Sequence, residues 1–158
     1  MENVTVANTE GTGQVQAVAL YAEGDRGKYH NVRITGLQDT LLVNRGRQYF
    51  KDSYISGSVD FIFGNSPVVF DNSIIHSLRA GYVTAASTEE NKPGGWNNWG
   101  KESNEQTARF GEFDNFGPGA GSSGRVPWAK QLTADEASQY TVEAVLSGTD
   151  HWNPQLNR

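Results

Sequence analysis

The 158-residue chain carries a formal charge of −5, its basic side chains (Arg26, Lys28, Arg45, Arg47) are interspersed with acids, and it contains no cysteine. This balance argues against a nucleic-acid partner, which needs a clustered basic surface, and the missing thiols exclude disulfides and thiolate metal sites. No apolar run approaches the roughly 18 residues of a membrane span, the opening MENVTVANTEG does not read as a signal peptide, and the length suits a single domain over 1–158, expected to be a monomer.

Taken in chain order, the first elements form a repeat. ENVTVAN (2–8), HNVRITG (30–36), KDSYISG (51–57) and DNSIIHS (71–77) are copies of one small unit, with Asn3, Asn31, Asp52 and Asn72 at its second position. A second register agrees, because QDTLL (38–42) precedes VDFIF (59–63) by 21 residues. A period of 20 to 22 residues, filled with short β-branched and aromatic clusters between turn residues, predicts an all-β solenoid: a right-handed parallel β-helix whose coils stack about 4.8 Å apart. The recurring Asn/Asp positions are expected to form a side-chain ladder satisfying turn backbone inside the stack. Beyond residue 87 the pattern gives way to polar, Gly-rich stretches, STEENKPGGWNNWGKESNEQ and FGPGAGSSGRVPW, which read as loops. Residues 133–146 then predict one helix, with Thr133 as N-cap, Glu136 completing a capping box and Gly148 just past the end. Its Ala137, Tyr140 and Val145 are expected to pack on the solenoid.

Asp39 and Asp60 stand out because each sits within an apolar strand pattern, where holding a carboxylate is costly. One coil apart, they would face each other, one titrating high and the other staying low, as an acid and a nucleophile or base. Gln16 and Gln38 fall on the same register and supply uncharged donors of the kind an oxyanion hole uses. The spacing leaves two alternatives open: both aspartates accepting hydrogen bonds from backbone or from Arg45 or Arg47, and glycoside hydrolysis, which also employs paired carboxylates.

QAVALYAEGDR (16–26), GLQDTLLVNRGRQYF (36–50), SGSVDFIFGN (56–65) and GYVTAAST (81–88) resemble successive signature segments of pectin methylesterases, and GGWNNWG (94–100), TARFGEFDNFGPGA (107–120) and GRVPWAKQLTADEASQYTVEAVLSG (124–148) resemble that family's C-terminal segments. The resemblance implies Asp60 as nucleophile on a methyl-ester carbonyl, and Asp39 as general acid and then base. It further implies Gln38 as a transition-state stabiliser, Gln16 as a second group holding the oxyanion, and Trp96 as an aromatic wall of the sugar-binding cleft. It implies no metal or organic cofactor, methylated galacturonan (pectin) as partner, methanol as product, and an extracellular location, since pectin lies outside the cell.

The chain departs from that family in two places. The family's N-terminal coils precede the segment that begins here, and between AASTEEN (85–91) and KPGGWNNWG (92–100) two further coils are missing. The LGRPW motif goes with them, and its arginine is the one the resemblance would set against Asp60; Arg79 or Arg125 are the substitutes to consider. His30, His76 and His151 are too scattered for a metal site. GPGAGSSG lacks the ending of a phosphate-binding loop, and Asn3-Val4-Thr5 is a formal glycosylation acceptor.

Overall fold

The computed structural model describes residues 1–10, 15–79, 81, 83–85, 96–98, 101–107, 111–116 and 120–156. The first three coils each contribute one short strand to each of three sheets, and later strands extend the first and second. Strands β1 (Thr5–Ala7), β4 (Arg33–Thr35), β7 (Tyr54–Gly57) and β10 (Ile74–Ser77) make the first sheet. The second contains β2 (Leu20–Ala22), β5 (Leu41–Val43), β8 (Ile62–Phe63), β11 (Thr84–Ala85) and β12 (Trp96–Asn97), and the third β3 (Gly27–His30), β6 (Gln48–Lys51) and β9 (Val68–Asp71). All of these pairings are parallel, so the molecule is the expected β-helix, of about four turns.

The pairing register explains the repeat. Leu20, Leu41 and Ile62 lie side by side, as do Ile34 and Ile55, and Tyr29, Phe50 and Phe70. Stacking equivalent residues one strand spacing apart turns a sequence period into columns of like side chains. Leu41, Ile34, Ile55, Phe50 and Phe61 are fully buried in one core. The Tyr29 and Phe50 rings stack with centroids 4.2 Å apart, and Phe50 and Phe70 with centroids 5.1 Å apart. Buried Gln48 donates from Nε2 to the carbonyls of Gly24 and Arg45, both at 2.7 Å, so its amide fastens the corners of two coils.

The Asn/Asp ladder exists, but on the outside of the stack. Asn3, Asn31, Asp52 and Asn72 all have left-handed backbone, with φ of 55°, 50°, 49° and 47°, and all are exposed. Asn and Asp tolerate this conformation better than other side chains, and at a corner it turns the side chain towards solvent. Asn31 Nδ2 donates to Asn3 Oδ1 at 2.7 Å, and Asn72 Nδ2 to Asp52 Oδ1 at 2.5 Å. His30 joins the ladder between Glu2 (2.8 Å) and Asp52 (3.3 Å).

The predicted helix over 133–146 is two helices, α2 (Ala134–Ala137) and α3 (Val142–Leu146). The Thr133–Glu136 capping box is present, but Thr141 starts a second helix: its backbone is extended and its Oγ1 accepts from the Ala144 N–H at 3.0 Å. A competing N-cap inside a helical pattern breaks it. Tyr140 consequently points to solvent at 62% exposure, while half-buried Val142 and Val145 and buried Leu146 pack with Tyr49 and Trp152, placing α3 against β9. A further helix, α1 (Glu102–Thr107), occupies a stretch expected to be loop, and β13 (Gly111–Glu112) pairs with β14 (Lys130–Gln131).

Candidate active site

Asp39 and Asp60 occupy the same position in two successive five-residue loops, Gly36–Thr40 and Gly57–Phe61, each leading into a strand of the second sheet. Both have left-handed backbone, φ 61° and 47°, a conformation costing about 1–2 kcal/mol for an L-residue and kept only where the surroundings enforce it. The loops stack through backbone bonds: Ser58 N–H donates to the Leu37 carbonyl at 2.8 Å, Asp39 N–H to the Val59 carbonyl at 3.1 Å, and Gln38 bridges Val59. In each loop the side chain after the aspartate, Thr40 or Phe61, turns inward and is fully buried over the glycine four residues before it. A methyl group at Gly36 would lie 2.7 Å from Thr40 Oγ1, and one at Gly57 would overlap Phe61 Cβ.

The aspartates are 8% and 7% exposed. Burial raises both carboxyl groups above the ordinary range, Asp60 to about 6, and the neighbouring Asp39 charge adds to the rise at Asp60. The expectation of one high and one low group is therefore corrected: both rise, because both are desolvated and neither has an ion-pair partner among the described residues. Asp60 Oδ1 is buried with no hydrogen-bond partner among the described residues. Arg47 is not that partner: it binds Asp25 and Asp150 at 2.6 and 2.5 Å and donates to the carbonyls of Leu146 and Ser147. Arg125 pairs with Glu112 at 2.7 Å.

Gln16 and Gln38 are 22 residues apart, whereas Leu20 and Leu41 pair 21 apart. A bulge absorbs the difference, with the Thr40 carbonyl accepting from both Ala19 (2.8 Å) and Leu20 (3.2 Å). Ala17 N–H then donates to the Gln38 carbonyl at 3.2 Å, as Asp39 N–H does to Val59, so Gln16 lies level with Gln38, one coil before it. Trp96 is in β12, its backbone paired with Thr84; its side chain and the rest of GGWNNWG at 94–95 and 99–100 lie outside the described residues. One set of residues escaped the sequence reading. Tyr21, Leu42 and Phe63 form a column on the strands that follow these loops, out of phase with buried Leu41 and Val43, and Tyr21 is 50% exposed. Their period-2 phase relative to the core was the available signal.

Among the described residues there is no group of three or more His, Cys, Asp or Glu side chains arranged to hold a metal ion. No described helix is long and apolar enough to cross a membrane.

Comparison with known proteins agrees with the fold. The chain is 35% identical to pectinesterase 31 of Arabidopsis thaliana over 88% of its own length and 58% of the relative's, and 32% identical to pectinesterase QRT1 of the same plant over 96% and 51%. It thus spans little more than half the length of these relatives. The first alignment runs over 184 positions, more than the 158 residues available, so the relative carries internal residues with no counterpart here. Among solved structures, the pectin methylesterase of Aspergillus niger superposes with a TM-score of 0.74 at 25% identity, covering 97% of this chain and 65% of the other. The carrot enzyme gives 0.73 at 25%, covering 94% and 65%. A mutant pectin methylesterase in complex with a hexasaccharide gives 0.70 at 25%, covering 97% and 70%. The pectinesterase family description matches residues 1–91 and 79–149, two stretches that overlap at 79–91, and on that match the chain belongs to the pectinesterase family.

Proposed function

We propose that this chain hydrolyses methyl esters of galacturonan through an aspartyl acyl-enzyme. The observation that carries the reading is the buried, coil-stacked pair of left-handed aspartates beside two level glutamines. Ionised Asp60 attacks the ester carbonyl carbon, and the amides of Gln38 and Gln16 donate to the oxyanion that develops. Asp39 gives its proton to the departing methoxide, which leaves as methanol, and the C–O bond breaks to leave an anhydride between Asp60 and the galacturonate. Asp39, now a carboxylate, takes a proton from water as that water attacks the acyl carbonyl, freeing galacturonic acid, which loses its proton to solvent, and restoring ionised Asp60. Trp96 contributes an aromatic face to the sugar. A pectin substrate and the similarity to plant pectinesterases support an extracellular location. The active form holds one proton between the two carboxyl groups, on Asp39 with Asp60 ionised, so methanol release falls as pH drops through about 6, where Asp60 protonates, and falls again at higher pH, where Asp39 has lost the proton it must give.

The test is methanol release from highly methylated pectin by the parent and by Asp60→Asn, both checked for folding by circular dichroism. The expected loss in the variant is at least about 10³-fold; equal turnover overturns the proposal. The unpartnered Asp60 Oδ1 favours one second reading, a pectin-binding β-helix impaired by lack of the arginine. That reading predicts pectin binding by both proteins with no methanol from either.

A further inference from the structure

We infer that Gly36 is a positioning residue for Asp39 in the reaction proposed above, acting through Thr40, whose side chain closes over the space that a Cβ at 36 would occupy. GLQDT (36–40) and GSVDF (57–61) are the same device one coil apart: a glycine, two residues, a left-handed aspartate and a side chain folded back onto the glycine. The folded-back residue anchors the loop in the core, since Thr40 and Phe61 are both fully buried. With its neighbour pinned inward, the aspartate has one direction left, outward at the head of the strand. The contact at Gly36 is steric, with Thr40 Oγ1 at 2.7 Å, Cγ2 at 3.1 Å and Cβ at 3.3 Å from the added carbon, and Oγ1 makes no hydrogen bond. A methyl group at 36 therefore drives Thr40 outward, and because the Asp39 N–H is held by Val59 of the next loop, the spacing of the two carboxylates changes with it. At Gly57 the added carbon meets Phe61 Cβ and the Leu37 carbonyl, backbone-fixed atoms that no single truncation removes, so Gly36 is the position where the device can be tested.

The test is the cycle Gly36→Ala, Thr40→Ala and the double variant, with Gly24→Ala as control because a Cβ there meets nothing within 4 Å. Two readouts are used: the Asp60 titration midpoint by 13C-carboxyl NMR, and kcat and KM for methanol release from methylated pectin. Gly36→Ala is expected to lower kcat about 10- to 100-fold with KM little changed and to move the Asp60 midpoint by about half a unit or more. Adding Thr40→Ala should return both towards the parent, and Gly24→Ala should move neither. A folded Gly36→Ala protein with the parent midpoint overturns the inference. A double variant that regains thermal stability but not the midpoint also overturns it, since Gly36 would then serve folding alone. If Gly36→Ala does not fold, the midpoint of Thr40→Ala decides: the loosened lid shifts it, or the inference fails. Should the parent release no methanol, the esterase proposal fails while the NMR arm still decides the role of Gly36.

Discussion

Asp60 carries a cost that its position makes measurable. Its carboxyl titrates near 6 in the folded chain against 3.8 when unfolded, so between those values the folded state binds the proton more tightly and stability declines as pH rises. Above about pH 6 the full penalty is present, on the order of 2–3 kcal/mol for a shift of this size. Asp60→Asn removes the charge and keeps a side chain tolerant of left-handed backbone. It should melt about 4–8 °C above the parent at pH 7.5 and near it at pH 4, as read by thermal denaturation followed by circular dichroism. A variant no more stable than the parent at pH 7.5 would show that ionised Asp60 is compensated by a charge or hydrogen-bond partner. A group that destabilises the fold when ionised is a signature of function, because packing alone would have replaced it.

At the level of elements, Arg47 ties the end of α3 and the turn after it to the coil stack, beside the apolar contacts of Leu146 and Trp152 with Tyr49. Its guanidinium reaches Asp25 at the β2–β3 corner, Asp150 and the carbonyls ending α3, and lies 5.3 Å from the Trp152 ring centroid. Arg26 also binds Asp150. Arg47 holds the carboxyl groups of Asp25 and Asp150 well below the usual range, so this attachment is fully present above the unfolded carboxylate pKa and weakens as pH falls towards the folded values. Arg47→Met should therefore speed amide exchange in residues 142–152 by about tenfold or more while sparing the strands of the core. Uniform acceleration along the chain, or none, would count against a local clamp. The sequence made the charges visible but not their pairing, since Arg47 and Asp150 are far apart along the chain.

For the whole molecule, stability rests on columns of equivalent side chains, and the Tyr29–Phe50–Phe70 stack sits at their centre. Phe50 is fully buried with a ring on either side, so Phe50→Ala should cost about 3–5 kcal/mol by denaturant titration, a large share of a domain's total. A loss below about 1 kcal/mol would mean that the coils collapse onto the gap without cost.

What the amino-acid order determined by itself was the periodic part. A 20–22-residue repeat of β-formers allows one economical burial, coil on coil, and it brings Asp39 to Asp60 and, through one bulge, Gln16 to Gln38. Motif resemblance named the chemistry for those positions. Only the tertiary structure decided the rest. The Asn/Asp ladder faces solvent, whereas Asp39 and Asp60, with the same left-handed backbone, are buried by the packing around them. The C-terminal helix splits because the Thr141 side chain caps Ala144 locally, where periodicity predicts continuation. Both aspartates titrate high, rather than one high and one low, because burial is set by packing from neighbouring coils and Arg47 and Arg125 are engaged elsewhere. Periodic order is written in short-range spacing, whereas desolvation and charge pairing depend on which distant segments meet, and that is decided by the folded chain.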